Sequence, residues 1–411
     1  MSLIVMKFGG SSVGDIDRIK NAAAKVAAEI QRGHKVAVVV SAMTGVTDGL
    51  IGYCRSVSPH FDHREHDTVV ATGEQVTSGL MALALHQRGV NARSWQGWQL
   101  RILTDNTHAK ARILDIEADK ICQHIEAGEV GVMAGFQGVT EDDRITTLGR
   151  GGSDTSAVAL AIALKAERCD IYTDVDGVYT SDPRIVSSAR KMERVSYEEM
   201  LELASLGAKV LQVRSVELAM RYRMPVQVLS TFANEVGSDM PGTLIVEGSE
   251  DMEKNTVTGI AYTVDEAKIT LVKLEDKPGV AARVFVPLAR AGVNVDMIVQ
   301  TASEDGKATD ITFTVGKNDF ERAVKVLQNE QKTIGFTKLV SDKNVVKISL
   351  VGIGMRSHAG VAATMFETLA DKGINIQVIE TSEINTSVLI SDDYTELALR
   401  ALHAAYGLDA A

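Results

Sequence analysis

Thr147-Leu148-Gly149-Arg150-Gly151-Gly152-Ser153-Asp154 runs directly into Thr155-Ser156-Ala157-Val158-Ala159-Leu160-Ala161-Ile162-Ala163-Leu164, a stretch without Gly or Pro and rich in helix formers. A glycine-rich loop feeding a helix is suited to hold an anion. Glycine lets the backbone approach closely, and the first-turn N–H groups face outward with the positive end of the helix dipole. Arg150 adds a planar fork that matches a carboxylate or a phosphate. Asp154, just inside the turn, either caps the helix or binds a metal or donor group. Such a turn alone is weak evidence, so its neighbours in the chain decide its meaning.

Upstream, Leu3-Ile4-Val5-Met6-Lys7-Phe8 reads as a buried strand that breaks at Gly9-Gly10-Ser11-Ser12. A helix is expected over 15–31, with Ile16, Ile19, Ala23, Val26, Ala27 and Ile30 on one face. Strand, glycine turn and helix again make a phosphate cradle, where Lys7 would supply a point charge, although a lysine at a strand end can also be merely solvated. The chain contains neither a P-loop signature nor G-x-G-x-x-G at this turn, which argues against a P-loop NTPase and a dinucleotide dehydrogenase. A second fully buried strand, 35–40, ends at Ser41-Ala42-Met43-Thr44-Gly45-Val46-Thr47-Asp48. Small hydroxyl residues such as Ser41 and Thr47 stand where an α/β protein places a ligand, or they form a turn capped by Asp48. Residues 53–67 are poorly patterned, and His60, His63 and His66 there read as surface residues. Thr72-Gly73-Glu74-Gln75 begins or lies within a helix reaching about residue 87; Glu74 complements its dipole or binds an ammonium group.

Strands are expected at 92–95 and at 130–134, the latter leading to a glycine-broken end at 135–139. Beyond the central helix, residues 169–184 pair a strand with an acidic, aromatic loop. From residue type, Tyr179 would pack on a purine and Arg184 would reach phosphates; a plain turn-rich loop fits equally. One or two helices follow over 196–222, with Lys209 at a helix start, then strands at 225–229 and 243–246. The alternation makes an α/β domain with a parallel or mixed sheet covered by helices on both faces. The 411 residues suggest two or three domains, and a 45% apolar share is ordinary for a globular protein. A net charge of -11 argues against nucleic-acid binding. Three widely spaced cysteines match no metal-ligand pattern. No run has the length of a membrane span and no signal peptide is visible, so the expected compartment is the cytoplasm.

Lys7-Phe8-Gly9-Gly10-Ser11-Ser12, Gly149-Arg150-Gly151-Gly152-Ser153-Asp154, Thr173-Asp174-Val175-Asp176-Gly177-Val178-Tyr179 and Asp182-Pro183-Arg184 together resemble the aspartate kinases, members of the amino-acid-kinase fold. The resemblance implies a catalytic domain over 1–247 with a mostly parallel sheet sandwiched by helices. It implies ATP-dependent phosphorylation of the L-aspartate side chain to 4-phospho-L-aspartate with Mg²⁺, and no metal cage of the protein's own. Lys7 and Asp154 would be catalytic, with Lys7 neutralising the transferring phosphoryl group. The nucleotide would meet Phe8, the Gly9 and Gly10 N–H groups, Thr173 and Asp174. It would also meet Tyr179, Thr180, Ser181, Asp182, Pro183, Arg184, Lys209 and Val210. Aspartate would meet Ser41, Thr47, Glu74 at its ammonium, Arg150 at its α-carboxylate, and Gly151, Gly152 and Ser153.

The tail repeats. After a linker and entry strand over 248–263, Lys268-Ile269-Thr270-Leu271-Val272 answers to Lys347-Ile348-Ser349-Leu350-Val351, and Ala291-Gly292-Val293-Asn294-Val295 answers to Lys372-Gly373-Ile374-Asn375-Ile376. Gly279 precedes Gly292 by the interval that separates Gly360 from Gly373. Each unit reads strand, glycine turn, helix, strand, strand, helix, a split βαβ arrangement. The pair is similar to two ferredoxin-like (βαββαβ) ACT domains, 264–340 and 341–411, small-molecule sensors that often bind amino acids. By that resemblance Asp276, Gly279, Ala281, Asn294, Val295, Asp296 and Gln300 would line one effector site. Val361, Asn375, Ile376, Thr381 and Ser382 match them in the second repeat. Thr301 and Glu380 depart from the residues relatives often carry. The resemblance further implies feedback by lysine and threonine, end products of the pathway that also leads to methionine, and a homo-oligomer formed through the ACT domains. Rival readings are a sister kinase acting on N-acetylglutamate, glutamate or a nucleoside monophosphate, and an inactive amino-acid sensor. The sensor repeats with Thr72-Gly73-Glu74 favour aspartate over the first, and intact Lys7, Arg150 and Asp154 oppose the second.

Overall fold

The computed structural model describes residues 2–208, 210–239, 241–248, 256–303, 308–358 and 360–409. The chain forms two compact units: Met1–Val178, Lys191–Ser205 and Lys209–Met252 make the first, and Tyr179–Arg190, Leu206–Ala208 and Glu253–Ala411 the second. Residues 249–255 of the expected linker and entry strand lie outside the described residues, as does Lys209.

In the first unit, β1 (Leu3–Phe8) leads through a 3₁₀ turn into α1 (Ile16–Gln31), whose N-cap Asp15 accepts a bond from Arg18 N. β2 (Lys35–Val40) is followed by three helices, α2 (Val46–Val57), α3 (His63–Val70) and α4 (Thr72–Gln87), and then β3 (Ala92–Trp95). Next come β4 (Ile102–Thr104), β5 (Ile113–Ile116), α5 (Asp119–Glu126), β6 (Val130–Ala134), β7 (Gln137–Val139) and β8 (Ile145–Thr147). The central helix α6 (Gly152–Ala163) precedes β9 (Arg168–Thr173), β10 (Arg194–Ser196), α7 (Tyr197–Ser205), α8 (Val213–Tyr222), β11 (Val226–Ser230) and β12 (Thr243–Val246). Eight strands form the main sheet in the order β10-β12-β11-β9-β1-β2-β6-β3, and every pair except β11–β12 is parallel. Five consecutive buried residues in β1, in β2 and in β6 give the continuous apolar runs of strands covered on both faces. Ile19, Val26, Met81 and Leu85 pack on Ile4, Met6, Val36 and Val38 in its largest described core.

Two expectations need correction. Residues 53–67 carry parts of α2 and α3, and His66 is buried, stacked on Phe61 with ring centroids 5.0 Å apart. A second sheet, β5-β4-β7-β8, went unforeseen because its strands have only three or four residues, too few to show a period.

In the second unit, β13 (Gly259–Glu275), α9 (Val280–Arg290), β14 (Asp296–Ala302), β15 (Ala308–Val315), α10 (Phe320–Asn329) and α11 (Gln331–Ile334) lead into β16 (Lys338–Val351). α12 (Val361–Asp371), β17 (Val378–Thr381), β18 (Asn385–Ser391) and α13 (Thr395–Ala405) complete it. One six-stranded sheet, β14-β15-β13-β16-β18-β17, joins the repeats edge to edge. Each long strand serves both repeats: Gly259–Thr263 of β13 pairs with Lys347–Val351, while Lys268–Val272 pairs with Lys338–Asp342. Each repeat has its own apolar core, around Val284, Leu288 and Phe313 in one and Met365, Leu369 and Leu402 in the other. No helix of the described residues is long and apolar enough to cross a membrane.

Candidate active site

The glycine turn before α6 is dictated locally. Gly151, its N-cap, has φ +70°, and a Cβ there would stand 1.8 Å from Gln212 Cγ. Asp154 therefore does not cap the helix. It lies in the first turn, where a carboxylate complements the dipole, and its Oδ1 stands 2.5 Å from Lys7 Nζ at the end of β1. Both side chains are buried, so each charge is held by the other rather than by water.

Around this pair is a cleft of about 280 Å³, near the lower limit of small-molecule sites (about 300 Å³). It brings together Lys7, Gly10, Ser41, Thr47, Glu74, Arg150, Gly151, Gly152, Ser153 and Asp154. Ser41 follows the carboxyl end of β2, and Thr47 stands in the first turn of α2. Gly73 lets α4 close on this loop, since a Cβ there would meet Ala42 Cβ at 2.8 Å. Glu74 Oε1 then accepts a hydrogen bond from Ala42 N at 3.0 Å. Its Oε2 is buried with no partner among the described residues. Burial pushes the carboxyl up to about 7, against the pull of the Ala42 N–H. Arg150 is exposed at the cleft, and its guanidinium has no hydrogen bond or ion pair among the described residues. An acceptor, a free cation and a buried lysine therefore face one small space.

The nucleotide candidates are arranged differently. Phe8 is fully buried and stacked on Tyr172 at 4.9 Å, so its side chain is closed to a ligand, and its carbonyl accepts from Ser41 N at 3.1 Å. Gly9 N–H, expected to hold phosphate oxygens, instead donates to Tyr172 O at 3.2 Å; the chain closes its own turn with that group. Thr173 Oγ1 donates to Asp174 Oδ1 in the first unit. Tyr179, Thr180, Ser181, Asp182, Pro183 and Arg184 belong to the second unit. There Thr180 Oγ1 is 2.9 Å from His403 Nε2, and Asp182 accepts from Tyr262 Oη and from Arg184. Arg184, expected at phosphates, is exposed beside Asp182. Val210 lies in the turn before α8.

Among the effector candidates, Gly279 has φ +91° as N-cap of α9, with Ala281 in the first turn. Asp276, Asn294 and Gln300 are exposed, Val295 is half-buried, and Asp296 pairs with Lys347 of the other repeat. Asn375, Thr381 and Ser382 are exposed and Ile376 is half-buried. Val361 is the exception: its side chain is in the core and its carbonyl accepts from Tyr406 Oη at 2.6 Å, so it offers little to a ligand.

Sequence reasoning missed Phe136, which lines the cleft with φ +68°, uncommon for a bulky residue. It also missed Asp67 and Arg214, whose charges are spent on backbone near Thr147 and Leu148. Asp67 sat in a segment without apolar period, and nothing in the sequence marks its burial.

Comparison with known proteins agrees over the whole chain. Residues 2–230 match the amino acid kinase family, and 268–330 and 348–406 each match an ACT domain. An aspartate kinase of Stutzerimonas stutzeri is 54% identical over 411 residues, covering 100% of this chain and 98% of the relative. Among solved structures, Escherichia coli aspartokinase III in complex with aspartate and ADP is 25% identical with a TM-score of 0.80, covering 98% of this chain and 99% of that one. The same enzyme in complex with lysine and aspartate is 26% identical with a TM-score of 0.79, at the same coverage. The chain thus belongs to the aspartate kinases, amino acid kinases that carry two C-terminal ACT domains.

Proposed function

We propose that the chain transfers the γ-phosphoryl group of MgATP to the side-chain carboxylate of L-aspartate, giving 4-phospho-L-aspartate and ADP. The observation that carries this reading is the buried Glu74 Oε2 in one cleft with the Lys7–Asp154 pair and Arg150, where neither Oε2 nor the guanidinium has a partner among the described residues. An α-amino acid presents an ammonium and a carboxylate on one carbon, and Glu74 and Arg150 supply the complementary charges. A carboxylate oxygen attacks phosphorus as the bond to ADP breaks. No base is needed, because the nucleophile is already ionised near neutral pH. Catalysis is alignment and charge neutralisation: Lys7 meets the charge on the transferring group, and Asp154 fixes the lysine. Ser41, Thr47 and Ser153 supply polar contacts to aspartate, with Gly151 and Gly152 allowing close approach. Gly10, Thr173, Asp174, Lys209 and Val210 serve the nucleotide. Mg²⁺ enters as part of MgATP. Such an ion is held mainly by phosphates and water.

The catalytic domain spans 1–247, and the ACT domains, after a linker over 248–263, span 264–340 and 341–411. They take lysine, threonine or both as end-product inhibitors, associate into a homo-oligomer, and work in the cytoplasm. A related enzyme crystallised with lysine supports lysine among these effectors. The test is aspartyl phosphate formation, trapped as the hydroxamate, with MgATP and aspartate, alone and with lysine, threonine or both. Hydroxamate that falls with effector is expected. Folded protein that makes none contradicts the activity, and activity indifferent to both amino acids contradicts the regulation.

A further inference from the structure

Asp67 lies on α3, with its carboxylate fully buried. A buried charge is tolerated only when its oxygens are satisfied. Here Oδ1 accepts from Thr147 Oγ1 at 2.7 Å, from Ala109 N at 3.2 Å and from His66 Nδ1 at 3.2 Å. Oδ2 accepts from Ala109 N at 2.9 Å, Thr147 N at 3.0 Å and His108 Nδ1 at 3.0 Å. Six contacts from four residues, drawn from three separate stretches of chain, meet on one carboxylate.

Those partners carry the substrate clamp. Thr147 ends β8, and Arg150 leaves the chain three residues later. Ala111 N donates to Thr147 O at 2.9 Å, and Arg214 donates to Leu148 O at 2.5 Å and Ala111 O at 2.9 Å. Gly149 packs against this layer, since a Cβ there would stand 3.0 Å from Ala109 O. Among the described residues the Arg150 guanidinium has no partner of its own, so its origin is set by the turn from which it springs. On the other side, Ala71 N donates to Asp67 O at 3.0 Å and Gln137 Nε2 donates to Ala71 O at 3.1 Å, at the junction where α3 passes into α4 and Glu74.

We infer that Asp67 is a positioning residue for aspartate: it ties the wall bearing Glu74 to the turn bearing Arg150 and so sets the separation of the two groups that hold the amino acid. The inference rests on the aspartate reading above. It requires that loss of the carboxylate be felt by the amino acid and not by the nucleotide.

The test is Asp67→Asn in the full chain. The amide keeps the shape but turns an NH₂ group toward N–H donors. The aspartate KM is expected to rise roughly tenfold or more, with the ATP KM within about twofold of wild type and kcat falling less than the aspartate KM rises. A merely structural role would lower the active fraction and leave both KM values where they were. That pattern, or both KM values rising together, overturns the inference. Should Asp67→Asn not fold, Thr147→Val carries the test, with a severalfold rise in aspartate KM that Thr147→Ser avoids. Equal KM values for those two variants would also overturn it. Wild-type protein that is active on another acceptor but not aspartate would overturn the substrate reading first, and this inference with it.

Discussion

Two lysine–aspartate pairs, one in the kinase cleft and one in the paired repeats, are built from the same groups in different surroundings. Lys7 and Asp154 are both buried, and beside them Glu74 keeps an oxygen without a partner among the described residues. Lys347 is equally buried, but the side chain of its partner Asp296 is 47% exposed. The repeats also hold a near mirror of that contact, with Lys268 donating to Gln377, so one of two equivalent positions has a carboxylate and the other a neutral amide. Breaking a buried pair costs about 3–5 kcal/mol, whereas a wet pair contributes about 0–1 kcal/mol. The cleft pair is therefore a fixed arrangement of charge, suited to a transition state that must find its partners in place. The pair in the repeats meets water on its Asp296 side only, and Lys347 remains buried beneath it.

The difference is sharpest at Lys7. Lys7→Ala removes the charge nearest the transferring phosphoryl group and strands Asp154, so kcat should fall by at least roughly 10²–10³-fold while circular dichroism stays native. Near-normal turnover would mean the cleft pair is not the catalytic one. Arg150→Ala comes next. Losing a charge-assisted bidentate contact should raise the aspartate KM roughly 10–100-fold and leave the ATP KM nearly alone, as initial-rate kinetics would read. Glu74→Gln probes the cost of the unpartnered carboxylate. Burial holds this acid at about 7 against an ordinary 4.5, so folding takes up a proton. Its contribution to stability is full below about 4.5 and is lost as pH rises through about 7. Relative to wild type, Glu74→Gln should gain up to about 3 kcal/mol at pH 8 over its value at pH 4.5. Denaturant unfolding at the two pH values reads this, and an equal difference at both would show that the carboxylate is not strained by burial. The smallest effect is expected at Asp296→Asn, which should shift the lysine concentration for half-inhibition by roughly 3–10-fold. An unshifted curve would remove Asp296 from the effector site.

Much of this was legible in the chain. The largely apolar runs at 35–40 and 130–134 are strands with those bounds, and the helix expected to begin at or include Thr72 spans Thr72–Gln87. The 279/292 and 360/373 glycine pairs marked a repeat whose two copies share one sheet. The cleft residues were accessible because a glycine turn with an embedded arginine is a local signal. What stayed hidden was set by tertiary structure. Gly9 N–H is consumed by Tyr172 O across 163 positions of chain (172 minus 9), and no local pattern records such a bond. Asp67 and His66 were lost because burial of a charge depends on partners as distant as Thr147. The acidic loop read as a nucleotide contact has Thr180 against His403, so its surroundings come from the far end of the chain.

The central claim is that ionised Glu74 receives the ammonium of aspartate in the cleft that holds Lys7. The aspartate KM of the wild-type enzyme, measured between pH 8 and pH 6 at saturating MgATP, tests it most directly. With the carboxyl near 7 in the free enzyme, the aspartate KM should rise about tenfold over that range while the ATP KM stays flat. An aspartate KM that does not change with pH would contradict the assignment of Glu74 and the reading of the cleft built on it.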